Sequence, residues 1–201
     1  MSGFEDNLFN MAKKAVLEIP KSVLQDIYAL SFYYWANSDD PRKPMLTISY
    51  NTNARWEFCT PEPGQKPKWP VASDSDEAKW NYAFWLQNES KIGVYGESNA
   101  DFTEAVEWIQ SLGLWYSDQE ESEDFDKTLE LGNKAFYLFR EMCSRTALRL
   151  HNEGVLIGKF KRQIPVFVHE LEYYQVPCNA IKNANPPGLA DEFLSWIDAL
   201  G

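Results

Sequence analysis

The chain has 201 residues, 44% of them apolar and 15% aromatic, with eight tryptophans, enough to build one core without disulfide staples. That aromatic supply excludes a disordered segment, and there is no apolar run long enough to cross a membrane as a helix. The formal net charge of −11 opposes the basic footprint that direct nucleic-acid binding needs to displace counterions.

The start, MSGFEDNLFNMAKK, carries acids where a signal peptide places lysines, so a cytoplasmic protein is expected. Ser2 and Glu5 form a capping box, and Phe4, Leu8, Met11, Ala12, Ala15 and Ile19 then recur at helical spacing until Pro20. Ile27 to Trp35 reads as a strand with both faces apolar or aromatic, which belongs in the middle of a sheet. The turn from Asn37 to Pro44 returns the chain into Met45–Tyr50, giving an antiparallel hairpin. Residues 60–75, with Pro61, Pro63, Pro67 and Pro70, form a proline-rich surface loop inside a single domain. A short helix is expected over Asp76–Asn88.

Asp101-Phe-Thr-Glu104 opens the next helix, with Asp101 as its cap and Gly113 as its stop. A long helix from about Ser122 to His151 follows. Its stripe runs through Phe125, Leu129, Gly132, Phe136, Phe139, Cys143, Thr146 and Leu150. His151 at its end is placed to favour the helix C-terminus as a partly charged imidazole. Val155–Phe160 and Ile164–Leu171 read as two further strands joined around Lys161, and a last helix opens after Pro186-Pro187. The order predicts an α+β fold, with an antiparallel or mixed sheet of about 4–6 strands covered by helices in one domain.

Signals for chemistry are sparse. Cys59, Cys143 and Cys178 lie far apart with no CxxC pair, so reduced, mostly buried thiols are expected in place of a disulfide framework or zinc ribbon. His169-Glu170 begins like a metalloprotease HExxH, but position 173 is tyrosine and the context is a strand. There is no phosphate loop and no GxSxG elbow. No catalytic residue, metal site or cofactor is assigned.

Two features stand out. Asp118, Glu120, Glu121, Glu123, Asp124 and Asp126 place six carboxylates within nine residues. They serve either as a solvated cap ahead of the long helix, with Ser117 and Glu120 as a capping pair, or as an acidic surface for a basic protein partner. The second is a group of tryptophans and amides, Asn51, Asn53, Trp56, Trp69, Trp80, Asn81 and Trp85, which belong either to the core or to a ligand cleft. In the cleft reading His169, with Glu170 or Glu172, is the first acid–base candidate, and burial of His169 against a backbone partner counts against it. The basic stretch Lys159, Lys161 and Arg162 is too short to offset the acidic whole.

Three segments carry a resemblance: FYYWANSDDPRKPMLTISYNTN, DEAKWNYAFWLQN, and the tail IPVFVHELEYY with NANPPGLADEFLSW. Together they resemble a widespread bacterial family of uncharacterised cytosolic domains, discussed as candidate immunity or accessory proteins of contact-dependent toxin systems. The likeness is one of overall pattern from about residue 4 to 200 and brings no active site with it. It implies a non-catalytic module that binds a secreted toxin and occupies its active surface. The acidity suits a basic toxin. An enzyme or small-molecule-binding domain is the alternative, and oligomeric state is left open.

Overall fold

The computed structural model describes the backbone of residues 2–171 and 175–200 and the side chains of 3–171 and 178–200. The sheet is organised around β1 (Ile27–Ala36). Beside it β2 (Pro44–Thr52) runs antiparallel, setting Phe32 opposite Ile48 and Tyr34 opposite Leu46. Beyond β2 lies β3 (Gly93–Tyr95), also antiparallel. On the other flank β4 (Val166–His169) runs parallel to β1, with Leu30 opposite Val166 and Tyr33 opposite His169. The order β3-β2-β1-β4 is a mixed open sheet of four strands, and the aromatic strand is central as its two apolar faces require.

Nine helices occur among the described residues: α1 (Ser2–Glu18), α2 (Asn53–Cys59), α3 (Ser75–Trp80), α4 (Asn99–Ser111), α5 (Asp118–Glu123), α6 (Phe125–Asn152), α7 (Val155–Phe160), α8 (Gln175–Ala184) and α9 (Asp191–Ala199). The sheet face bearing Leu30, Phe32, Tyr34, Ile48 and Val168 packs on Phe4, Leu8, Ile109, Phe139 and Leu156 from α1, α4, α6 and α7. The opposite face, through Ala29 and Phe167, packs on Trp80, Trp85, Ile181 and Phe193. Period-two alternation along β1 thus feeds two cores, one on each side of the sheet.

Local chemistry sets the boundaries. The first amides of α4 are capped by Ser98, not Asp101; Asp101 sits at the third helical position and bonds back to the Ser98 amide, completing a capping box. Gly113, in the left-handed region at φ +69°, follows the end of α4 as expected. The Ser2 cap and Glu172 lie outside the described side chains. Asn81 is extended, and its side chain caps a following 3-10 turn at Tyr82–Phe84, so the helix expected over 76–88 stops at Trp80. Residues 61–69 are mostly exposed, and Trp69 lies over Phe84 at 5.7 Å.

Val155–Phe160 is a helix, not a strand. Val155, Leu156 and Phe160 are buried while Ile157 is exposed, a helical spacing that a six-residue apolar run conceals. Consequently β4 does not pair with this segment in a hairpin; it returns to β1. Its outer edge is closed by a side chain. Asn185, buried between α8 and α9, accepts from the Val166 amide at 2.8 Å and donates to the Val166 carbonyl at 2.8 Å, standing in for a neighbouring strand. The segments α2, β3 and α8 have no counterpart in the sequence reading.

The spine helix α6 begins at Phe125, later than expected, because Asp124 leaves helical geometry and caps Lys127, separating α5 from α6. The first two residues of its apolar stripe lie outside the core: Phe125 is 60% exposed and Leu129 45%. At Gly132 the helix passes so close to the β1–β2 turn that an added Cβ would lie 2.5 Å from Pro41 and 2.8 Å from the Tyr116 hydroxyl. Glycine here permits close approach. His151 is buried at the end of α6 and bonds Gln163, and burial lowers its pKa, which favours the neutral ring over the partly charged imidazole expected there.

Candidate functional site

Of the tryptophan and amide group, Asn51, Trp80 and Trp85 are buried, Asn53, Trp56 and Asn81 are half-buried, and Trp69 is exposed. Trp80 and Trp85 are buried in the second core, edge-on to Phe167 at 5.7 and 5.5 Å. Asn51 is fully buried; it donates to the Tyr28 hydroxyl at 2.9 Å and accepts from the Leu86 amide at 3.3 Å. Asn81 is spent on its cap. His169 is fully buried, with Ser31 Oγ 2.8 Å from Nε2 and the Glu170 carbonyl 2.6 Å from Nδ1, and its ring lies 4.5 Å from that of Tyr82. Burial drives its pKa down to about 4, leaving a neutral ring closed from solvent. These residues share a neighbourhood as a packed polar and aromatic core, which counts against their use as an open acid–base site.

The acid run is split by the α5–α6 break. Ser117 donates through its amide and hydroxyl to Glu120 at 2.8 and 2.9 Å, and these bonds hold the Glu120 carboxyl below its ordinary value. Asp124 caps α6, and Glu123 accepts from Gln119 at 2.8 Å. Asp118 and Glu121 reach Arg42 at 2.8 and 3.5 Å. The guanidinium of Arg42 is also chelated by Asp40 through Nε at 2.8 Å and Nη2 at 3.1 Å, and stacks on Tyr116 at 4.7 Å. Burial tends to raise the Asp40 carboxyl, but hydrogen bonds from Arg42 and Lys43 outweigh it and hold the pKa low. The capping reading of the run is therefore realised at Glu120 and Asp124. Asp126 and the outer carboxylates still face solvent.

A cavity of about 530 Å³ lies at the C-terminal ends of the parallel strands β1 and β4, and Pro41, the chain neighbour of Arg42, is in its lining. Tyr33, Tyr34 and Trp35 of β1 contribute its aromatic wall, Leu129, Asn133 and Phe136 come from α6, and Asp39, Pro41, Glu170 and Leu171 form its rim. The ends of parallel strands leave such a crevice because neighbouring connections diverge there. Tyr34 and Phe136 lie 5.5 Å apart, and Tyr33 and Trp35 are stacked at 6.5 Å. Beneath this wall the Tyr34 hydroxyl lies buried beside Glu170 and Arg140, and the Trp35 indole nitrogen is buried without a hydrogen-bond partner. Burial, reinforced by the Glu170 carboxylate, raises the Tyr34 phenol far above its ordinary pKa. Asp39 and Glu170 give the rim acceptors for positive charge, and the aromatic faces suit a cation as well as apolar groups.

Sequence reasoning reached the acids of α5 but not this cavity. The available signal was Tyr33-Tyr34-Trp35 ending a strand directly before a charged turn that carries Arg42 and Lys43. What could not be read was that α6 returns to the same strand end.

Among the described residues no three or more histidine, cysteine, aspartate or glutamate side chains are placed to hold a metal ion. Cys59 and Cys143 are free and buried, and Cys178 is free and half-buried. Burial raises all three thiols. No helix among the described residues is long and apolar enough to cross a membrane. No protein-family model, curated protein or solved structure matches the chain.

Proposed function

We propose that the chain is a non-catalytic binding module that takes a basic segment of a partner protein across α5 and the aromatic cavity beside it. The observation that carries this is the exposure of Phe125 and Leu129 between the acids and the cavity. Large apolar side chains next to exposed carboxylates give the two elements of a polar-rimmed hot spot: apolar contact area and charge that steers encounter. A partner that inserts a cationic side chain between the aromatic wall and Glu170 fits the same geometry. A secreted basic toxin, held through its active surface, is the partner suggested by the sequence resemblance and by the charge.

The test is retention of partners from native lysate by the tagged protein at low and moderate salt, beside the variants Glu123→Lys/Asp126→Lys and Leu129→Ser. A stoichiometric basic protein should be held by the parent, released as salt rises, and lost by both variants. Equal retention by the variants would sink the assignment of this surface. A parent that holds no basic protein at either salt would sink the binding role itself.

A small-molecule ligand in the same cavity is a second reading, favoured by the unpartnered Trp35 indole. Because an indole N–H can only donate, such a ligand would carry an acceptor.

A further inference from the structure

At the opposite end of the sheet, where Leu24 and Gln25 lead into β1, a second cleft of about 670 Å³ lies between α1 and α7. Lys13, Lys21, Lys159 and Lys161 line it, a concentration of positive charge on a chain of net charge −11. Glu153 is its one acid, and that carboxylate is already engaged by Arg149 at 2.7 Å and approached by Lys13 at 3.7 Å. The lining therefore keeps an excess of ammonium groups.

Two of these ammoniums are held in place. Lys159 donates to the carbonyls of Leu17 and Ile19, both at 2.6 Å, and Lys161 donates to the Gly158 carbonyl at 2.8 Å. Each ammonium has three donors, so both retain N–H groups for a further acceptor. Lys161 also sits in the left-handed region at φ +60°, a conformation that a residue with a side chain adopts at a cost.

Gly158 is the other anomaly. It lies inside α7, where glycine weakens a helix relative to alanine. Its φ is not positive, and an added Cβ would meet nothing within 4 Å, so neither backbone conformation nor packing calls for glycine. Gly158 lines the cleft, and lacking a side chain it leaves that wall open.

We propose that this cleft is a binding site for a small phosphorylated molecule. The ammonium groups take the multiply charged oxyanion, since lysine acts on phosphate as a compact point charge. Leu17, Leu24 and Val155 offer an apolar wall to the organic part, and the volume is in the range of small-ligand sites. The site is separate from the aromatic cavity and does not depend on it.

The experiment is calorimetric titration of the whole chain with inorganic pyrophosphate, and with sodium chloride at matched ionic strength, for the parent and three variants. Pyrophosphate should bind the parent where chloride does not. Lys21→Gln/Lys161→Gln should bind at least about tenfold more weakly, and Gly158→Glu should lose binding. Gly158→Ala, which adds only a methyl group in open space, should keep it, with a raised melting temperature reporting an intact helix. Parent binding no stronger than the chloride control would overturn the proposal, as would equal affinity in the double lysine variant.

Discussion

At the scale of single residues, the buried histidine His169 has the clearest thermodynamic consequence. Its pKa in the folded chain is pushed down to about 4 from an ordinary 6.5, so between those values the unfolded chain binds the extra proton and the folded chain does not. Stability is therefore full above about pH 6.5, declines as pH falls toward 4, and is reduced by about 3 kcal/mol once both states are protonated. His151, also lowered by burial, adds to the loss in the same direction. Urea unfolding at pH 7.5 and pH 4.5 should show this drop, and His169→Asn should flatten it. An equally steep acid loss in that variant would assign the effect elsewhere. The burial of His169 was partly legible, because a strand position between Val168 and Glu170 on the Phe167 face points into a core. Its Ser31 partner, 138 positions earlier, was not.

At the scale of elements, two contacts hold the cavity end of the sheet and the sheet edge in place. Gly132 lets the β1–β2 turn touch α6, so Gly132→Ala should destabilise by about 1–3 kcal/mol through overpacking, despite alanine's better helix propensity. A thermal melt decides this, since a gain in stability would mean that the Pro41 contact relaxes at no cost. Asn185 closes the outer edge of β4. Asn185→Ala leaves the amide and carbonyl of Val166 buried and unpaired, which should cost about 2–4 kcal/mol. A loss under 1 kcal/mol in chemical denaturation would show that another group takes over the edge. Elements with long periodic patterns, α1, α4 and α6, were legible, and so was the β1–β2 hairpin. Short ones were not: α7 presents six residues whose apolar run fits a strand equally well, and β3 has only three residues. The break at Asp124 was hidden because a capping aspartate and an acid in a first helical turn look alike in sequence.

At the scale of the whole molecule, charge is segregated by location. Asp39 and Glu170 line the cavity at the C-terminal ends of β1 and β4, whereas lysines gather at the other end of the sheet, where the chain enters β1. The net charge alone suggested a basic partner, and it concealed the lysine-lined cleft because a sum carries no positions. Similarly, Trp80 and Trp85, read as possible cleft residues, lie in the core, and of the tryptophans the proposed cavity is lined by Trp35. The α+β class followed from element order, which left the sheet antiparallel or mixed; the parallel pairing of β4 with β1 makes it mixed. The location of the site followed from which distant segments meet, and that depends on tertiary packing beyond the reach of local pattern.

The parallel partnership of β1 and β4 also bears on how the molecule comes into being. As the chain emerges during synthesis, β1 and β2 can form their hairpin early, but the flank of β1 that will hold β4 stays uncovered. It waits for a segment made well over a hundred residues later, because Ser31 and His169 are 138 positions apart. Such non-local pairing slows folding and leaves an aromatic strand with an open edge in the meantime. The aromatic end of β1, suited in the finished molecule to receive a partner, is thus also the part of the nascent chain most in need of shielding until the last third has been made.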